Sequence, residues 1–276
     1  MSNPLLLETL ARRALAGDRE ALDSLVRGLQ DDIYRLAVRM LWNREDAEDA
    51  TQEILVRIVT RLSQFGFRSR LKTWAYRLSV NYILDLKKSP IEQLNLTFQQ
   101  FAEDLTEGIE PASASESERS VLIDEVKVGC SLAMLQCLDR AHRIAFVLGD
   151  ILELSGPEAA EILEVDPALF RKRLQLARES VHSFIRSHCG LVSDDAACRC
   201  HRRVPSAAVA SEETQPLNFA SRATSFQEAR ALVRQVEDAR STLALYRTSE
   251  PRAASVDFAQ RLVASLNRLP APGLEP

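Results

Sequence analysis

The chain of 276 residues predicts an all-α fold, with two helical domains joined by an acidic linker and followed by a small helical extension. Three observations carry that expectation. Only 9 glycines are present and no run alternates apolar and polar residues between turn signals, so strands leave no signature. Apolar residues recur instead at steps of three and four, the period of a helix face. Charge is also partitioned along the chain beneath a net value of only −4. Residues 68–88 hold six Lys/Arg against Asp85, and residues 167–188 hold five against Glu179. The intervening residues 89–118 hold seven acids and no Lys or Arg. Two basic blocks on separate modules suit two nucleic-acid contacts, whereas either block alone reads as a solvated helix face.

The first domain is placed at 16–88. Leu22, Leu25, Val26, Leu29, Ile33, Leu36, Ala37 and Met40 share one face of a helix that is expected to bend or break near Gly28. A second helix fits Asp46 to Leu62, with Ala47, Ala50, Ile54, Ile58 and Leu62 inward. A third fits Leu71 to Lys87 and stops before Ser89-Pro90, because proline disfavours helix in the residue ahead of it. Residues 89–118, with Pro111-Ala-Ser-Ala-Ser-Glu-Ser-Glu, have the composition of a tether rather than a core.

The second domain is placed at 119–188, with apolar helix resuming at Val121 and four helices following. The last pair is the most legible. Ser155 and Glu158 form a capping-box pattern, and Leu163-Glu-Val-Asp166 supplies a turn. Asp166 then caps a helix whose first residue is Pro167, where a missing amide hydrogen does no harm. Phe170, Leu174, Ala177 and Val181 are its buried stripe, with Arg171, Lys172, Gln175 and Arg178 on the outer side beside Arg173. This is helix-turn-helix grammar, and Arg, Lys and Gln are residues that bond base edges or phosphates in a major groove. A plain helical hairpin with a basic face is the competing reading of the same spacing.

In three places, in order, the sequence resembles the extracytoplasmic-function sigma factors of bacterial RNA polymerase. Asn43-Arg-Glu-Asp-Ala-Glu-Asp-Ala-Thr-Gln-Glu53 looks like the family's polymerase-binding segment, whose Asp-x-x-Gln-Glu core falls on Asp49, Gln52 and Glu53. Thr73-Trp-Ala-Tyr-Arg-Leu-Ser-Val-Asn81 resembles the following segment, which melts and reads the minus-ten element. Leu154 to Leu163 with Phe170 to Arg178 is similar to the family's minus-thirty-five reader. The resemblance implies a region 2-like domain, a region 4-like domain and an acidic linker that threads the polymerase. It implies core RNA polymerase and promoter DNA as partners, with an anti-sigma factor as a further one.

Physical reasons stand beside each match. Asp46, Asp49 and Glu53 are three and four residues apart and share one exposed face, suited to a basic surface. Lys72, Tyr76, Arg77 and Asn81 are read as contacts to single-stranded DNA, because aromatic faces stack bases while cations follow the backbone. Trp74 is read as core. The loop Phe65-Gly-Phe-Arg-Ser-Arg departs from the family's pattern, and Phe170 replaces a smaller residue.

The extension at 189–276 lies outside the resemblance. His188, Cys189, Cys198, Cys200 and His201 cluster within fourteen positions, and soft thiolates with imidazoles could hold a zinc ion, although Cys-x8-Cys-x-Cys-His is no standard finger spacing. A redox thiol pair and a cluster without special chemistry are the alternatives. Cys130 and Cys137 are read as packing residues. Phe226–Arg247 and Ser255–Leu269 read as an amphipathic hairpin that docks on one of the two modules, either as its regulator or as a stabilising appendage.

No nucleophile–base set, phosphate loop or metalloprotease motif is present, so promoter recognition rather than catalysis is expected and no cofactor is required. The N-terminus shows no basic leader before an apolar run, and no segment approaches the roughly 18 apolar residues of a membrane span, which predicts a cytoplasmic protein without membrane insertion. A helix-turn-helix regulator acting without polymerase, and a metal or redox sensor built on the cysteine tail, are the rival functions.

Overall fold

The computed structural model describes residues 4–88, 90–106, 120–203, 243–246, 249–251, 253–254 and 256–266. Every named element among them is helical, in line with the expected all-α class. The chain forms two compact units, one of Met1–Lys87 with Glu161–Glu164 and Ala253–Pro276, the other of Lys88–Ala160 with Val165–Arg252.

In the first unit, α1 (Pro4–Leu15), α2 (Arg19–Leu41), α3 (Arg44–Thr60) and α4 (Leu71–Asp85) pack around Leu25, Leu29, Ile33, Leu36, Ile54 and Ile58. Caps set the boundaries. Asp18 accepts the Ala21 amide at 3.0 Å to start α2, and Asn43 accepts the Asp46 amide at 2.9 Å to start α3. Between them Trp42 takes a left-handed φ of 49° and ends α2.

The bend expected near Gly28 is corrected: α2 runs unbroken through it. A Cβ at Gly28 would lie 2.9 Å from Leu7 Cδ2, so the glycine serves the close approach of α1. Helix α1 belongs to the unit although the first domain was placed from residue 16, and Glu8 accepts the Leu71 amide at 2.8 Å at the start of α4.

The second unit begins earlier than its composition suggests. The stretch read as a tether from residue 89 opens with α5 (Pro90–Gln93) and α6 (Phe98–Thr106), both folded. Glu92 is buried and bonds Arg140 at 2.6 Å and Arg143 at 2.9 Å. Phe98 and Phe101 meet Phe184 at ring-centroid distances of 5.2 and 5.4 Å. The rest of the expected tether, from 107 to 118, lies outside the described residues.

Helix α7 (Ser120–Gln136) leads to α8 (Arg140–Phe146), which continues into a π-helical turn, Val147–Ile151. After it come α9 (Gly156–Leu163) and α10 (Pro167–His188). A Cβ at Gly149 would lie 2.7 Å from Leu174 Cδ2 and 3.3 Å from the tip of Phe170, so a side chain there would need the Leu174 tip to shift. The bulky Phe170 is therefore accommodated by a missing side chain opposite it. The last described helix, α11 (Phe258–Leu266), falls within the expected helix from Ser255 to Leu269 and packs on α2 and α3 of the first unit. Its expected hairpin partner lies outside the described residues except at its C-terminal end.

Candidate functional site

The acidic face of α3 is built by its capped start. With Asn43 holding the first turn, Ala47, Ala50, Ile54 and Ile58 go into the core. Asp46 and Asp49 are left exposed, with Gln52 and Glu53 half-buried on the neighbouring turns. Glu53 accepts from Arg57 at 3.1 Å, and Arg57 lies over the Tyr82 ring at 4.4 Å. Burial pushes the Tyr82 phenol up, and Glu53 and Asp49 add to that shift while Arg57 opposes it. Tyr82 is a member of this face that its spacing alone did not reveal.

On α4 the structure buries Tyr76 and leaves Trp74 partly exposed. Tyr76 is 2% exposed, with Lys72 Nζ 5.6 Å from its ring, so the expectation that it stacks a DNA base is corrected. Trp74 is half-buried instead, and its ring meets Phe65 at 5.4 Å, tilted by 41°. Trp74, Arg77 and Asn81 recur at steps of three and four, which places them on one outer face. That spacing was the available signal. Lys72 forms an ion pair with Asp32 at 2.7 Å, half-exposed, and Asn81 is exposed. The loop before α4 contributes Phe67, which sits at φ 53° beneath the Arg12 guanidinium, 4.0 Å from the ring centroid.

The helix-turn-helix follows its sequence signals closely. Asp166 accepts the Ala168 amide at 2.7 Å with Pro167 at the first position, and Ser155 accepts the Glu158 amide at 3.4 Å. Glu164 makes the turn at φ 53°. Phe170, Leu174, Ala177 and Val181 are buried as expected. Outside, Arg171 and Lys172 are exposed and Arg173 is half-buried. Two of the expected readers are engaged within the protein: Gln175 donates to Glu179 at 2.9 Å, and Arg178 holds Asp150 through Nε at 2.9 Å and Nη2 at 2.5 Å. Its hydrogen bond with Asp150 raises the Arg178 pKa further.

At the end of α10 the chain folds back as the cysteine spacing requires. Cys189 caps α10 and pairs with Cys198 in an isolated parallel bridge, in which Gly190 donates to the Cys198 carbonyl at 3.1 Å. A side chain at Gly190 would collide with that carbonyl at 2.3 Å. Cys189, Cys198 and Cys200 line a cavity of about 30 Å³ together with Cys130 and His188. Cys130, read as a packing residue, is thus a neighbour of the tail cysteines. His188 Nδ1 donates to the Phe184 carbonyl at 3.1 Å and its ring stacks on Phe184. His201 lies on the short helical turn that begins at Cys200. Burial raises every one of these thiols, Cys198 to about 11. Among the described residues no group of three or more His, Cys, Asp or Glu is arranged to hold a metal ion, so the expected site of His188, Cys189, Cys198, Cys200 and His201 is not assembled there.

Residues 25–89, which span α2 to α4, match the Sigma-70 region 2 family. The chain is 27% identical over 190 residues to the ECF RNA polymerase sigma factor SigW of Bacillus subtilis, covering 66% of this chain and 98% of that one. It is 29% identical over 178 residues to the ECF RNA polymerase sigma factor SigE of Mycolicibacterium smegmatis, covering 62% and 65%. Over these stretches the chain is similar to extracytoplasmic-function sigma factors. A solved structure of CnrH in complex with the cytosolic domain of CnrY is also similar to this chain, at 20% identity and a TM-score of 0.48 over 65% of this chain and 97% of that one. Among the described residues, the protein has no helix long and apolar enough to cross a membrane.

Proposed function

We propose that this protein is a sigma factor that binds core RNA polymerase through α3 and directs initiation by reading promoter DNA with α4 and α10. The carrying observation is the outer face of α3. Asp49, Gln52 and Glu53 stand there in the family's Asp-x-x-Gln-Glu register, inside the segment that matches Sigma-70 region 2. A carboxylate strip presented by a rigid, capped helix offers a basic partner a preformed charge pattern. Trp74, Arg77 and Asn81 on α4 face single-stranded DNA in this reading, and Arg171, Lys172, Arg173, Gln175 and Arg178 face the minus-thirty-five duplex. The protein works in the cytoplasm, and an anti-sigma factor is a further partner.

The test is co-purification with core polymerase followed by promoter-specific transcription. Replacing Asp49, Gln52 and Glu53 by Ala should abolish retention on core enzyme while leaving helicity intact, since exposed substitutions cost little stability. Undiminished retention would overturn the assignment.

For the tail, zinc binding is a proposal: Cys189, Cys198 and Cys200 line one cavity and would have to draw together to share an ion. A thiophilic cation would have to deprotonate these raised thiols, which ligation can do. Elemental analysis of untagged protein purified under reducing conditions tests it: stoichiometric zinc, lost in Cys198→Ser/Cys200→Ser, supports the site, and metal-free protein that gains none on titration removes it.

A further inference from the structure

We infer that α11 is a built-in competitor of the polymerase-docking face, seated in a helix-binding groove between α2 and α3. The inference rests on the reading of α3 given above. Four observations place the helix. Phe258 is 2% exposed, and Ala259 and Leu262 are buried with it. The Phe258 ring meets Tyr34 of α2 at 6.5 Å. Arg27 and Asp257 form an ion pair at 2.8 Å across 230 residues of sequence. Gln30 accepts the Ala259 amide at 3.3 Å.

The seat is adjacent to the docking strip. The charged groups that act on Tyr34 are Arg44 and Glu48, both on α3. Glu48 and Gln52 are one turn apart and so share an edge of that helix. Helix α11 packs against α3 as well as α2, so a macromolecule approaching the outer face of α3 broadly enough to bind well meets it.

The attachment is also of a kind that can be exchanged. Asp257 caps α11 by accepting the Gln260 amide at 3.0 Å and at the same time pairs with Arg27, so one carboxylate starts the helix and docks it. Arg27 keeps a second partner, Asp23 at 2.8 Å, so its charge stays compensated when α11 leaves. The helix has nine residues, too few to persist alone in water, so release and unfolding of α11 are one event. Its seat binds an amphipathic helix with the pattern Asp-Phe-Ala-x-x-Leu, and the chain supplies its own.

The experiment measures the affinity of the full chain for core RNA polymerase. A chain ending at Val256 and the variant Phe258→Asp should both bind about tenfold more tightly, because the binding-competent fraction rises. The charge reversals Arg27→Asp and Asp257→Arg should each tighten binding, and the double reversal should return it towards the starting value. These two guard against misfolding, since both positions are half-exposed and remote from the core. Unchanged or weaker binding by all these variants, with helicity preserved, overturns the inference. Each is also combined with the Ala replacements of Asp49, Gln52 and Glu53. Tightening that survives those replacements sinks the α3 reading and keeps a gating role for α11, whereas loss of binding without any effect of α11 does the reverse.

Discussion

Arg178, on the outer face of α10, clasps Asp150 of the π-helical turn through two nitrogens, at 2.9 Å and 2.5 Å. Asp150 is mostly covered while Arg178 is more than half exposed, so the carboxylate holds the guanidinium at the rim of the basic face. A phosphate competing for Arg178 must first displace it. Asp150→Asn should therefore strengthen binding to duplex DNA and steepen its salt dependence by about 0.9 in the log–log slope. Fluorescence anisotropy at several salt concentrations reads both. An unchanged slope would mean that Arg178 does not reach DNA.

The contrast between a buried Tyr76 and a partly exposed Trp74 separates stability from promoter opening. Tyr76→Ala empties a buried site and should cost about 3–5 kcal/mol in chemical unfolding, the range for large aromatic truncations. Trp74→Ala should cost less stability but remove about 1–3 kcal/mol of base stacking. Fluorescence of a base analogue in the minus-ten element reports the opening. The opposite ranking in both assays would restore Tyr76 as the DNA contact.

Glu92 sits between Arg140 and Arg143 and accepts from both. Burial lowers the Arg143 pKa while Glu92 opposes that shift, and Arg143 also donates to the Leu135 and Leu138 carbonyls. Glu92→Ala leaves a covered guanidinium without its counter-charge. A loss of about 3–5 kcal/mol in urea unfolding of the second unit is expected, against under 1 kcal/mol for an exposed acid such as Glu103, by the usual surface range.

Burial raises Cys198 to about 11 and Cys137 to about 12, so the fold favours their neutral thiols. Their contribution to stability is complete below the unfolded thiol value and declines as pH climbs from there towards about 11 and 12. Alkylation of the native, metal-free protein near pH 8 should be slow compared with the unfolded chain and accelerate as pH rises. Rapid labelling of Cys198 at pH 8 would show an activated thiolate instead.

The caps were the most legible part of this fold. Asp166-Pro167 and the Asp49-Gln52-Glu53 register could be read because each depends on chemistry within one helical turn. What escaped depends on long-range packing. Nothing near Gly28 announces that Leu7 will approach it, and the glycine alone suggested a bend. Residues 90–106 were hidden by the composition of their acidic neighbours, although Phe98, Phe101 and Leu105 already had helical spacing. Trp74 and Tyr76 lie about 200° apart round α4, on opposite faces, so placing either one outward forces the other inward. Cys130 could not be joined to the tail cysteines from spacing, because about sixty residues separate it from them.

The first unit is discontinuous: Met1–Lys87 is completed by α11, which starts at Phe258. During synthesis its first four helices leave the ribosome about 170 residues before the piece that fills their groove. At translation rates of about 5–20 residues per second, that interval lasts roughly 10–30 s. Every newly made molecule thus passes through a stage in which the Tyr34 seat is vacant, and a binder of that seat gains its best access on nascent chains.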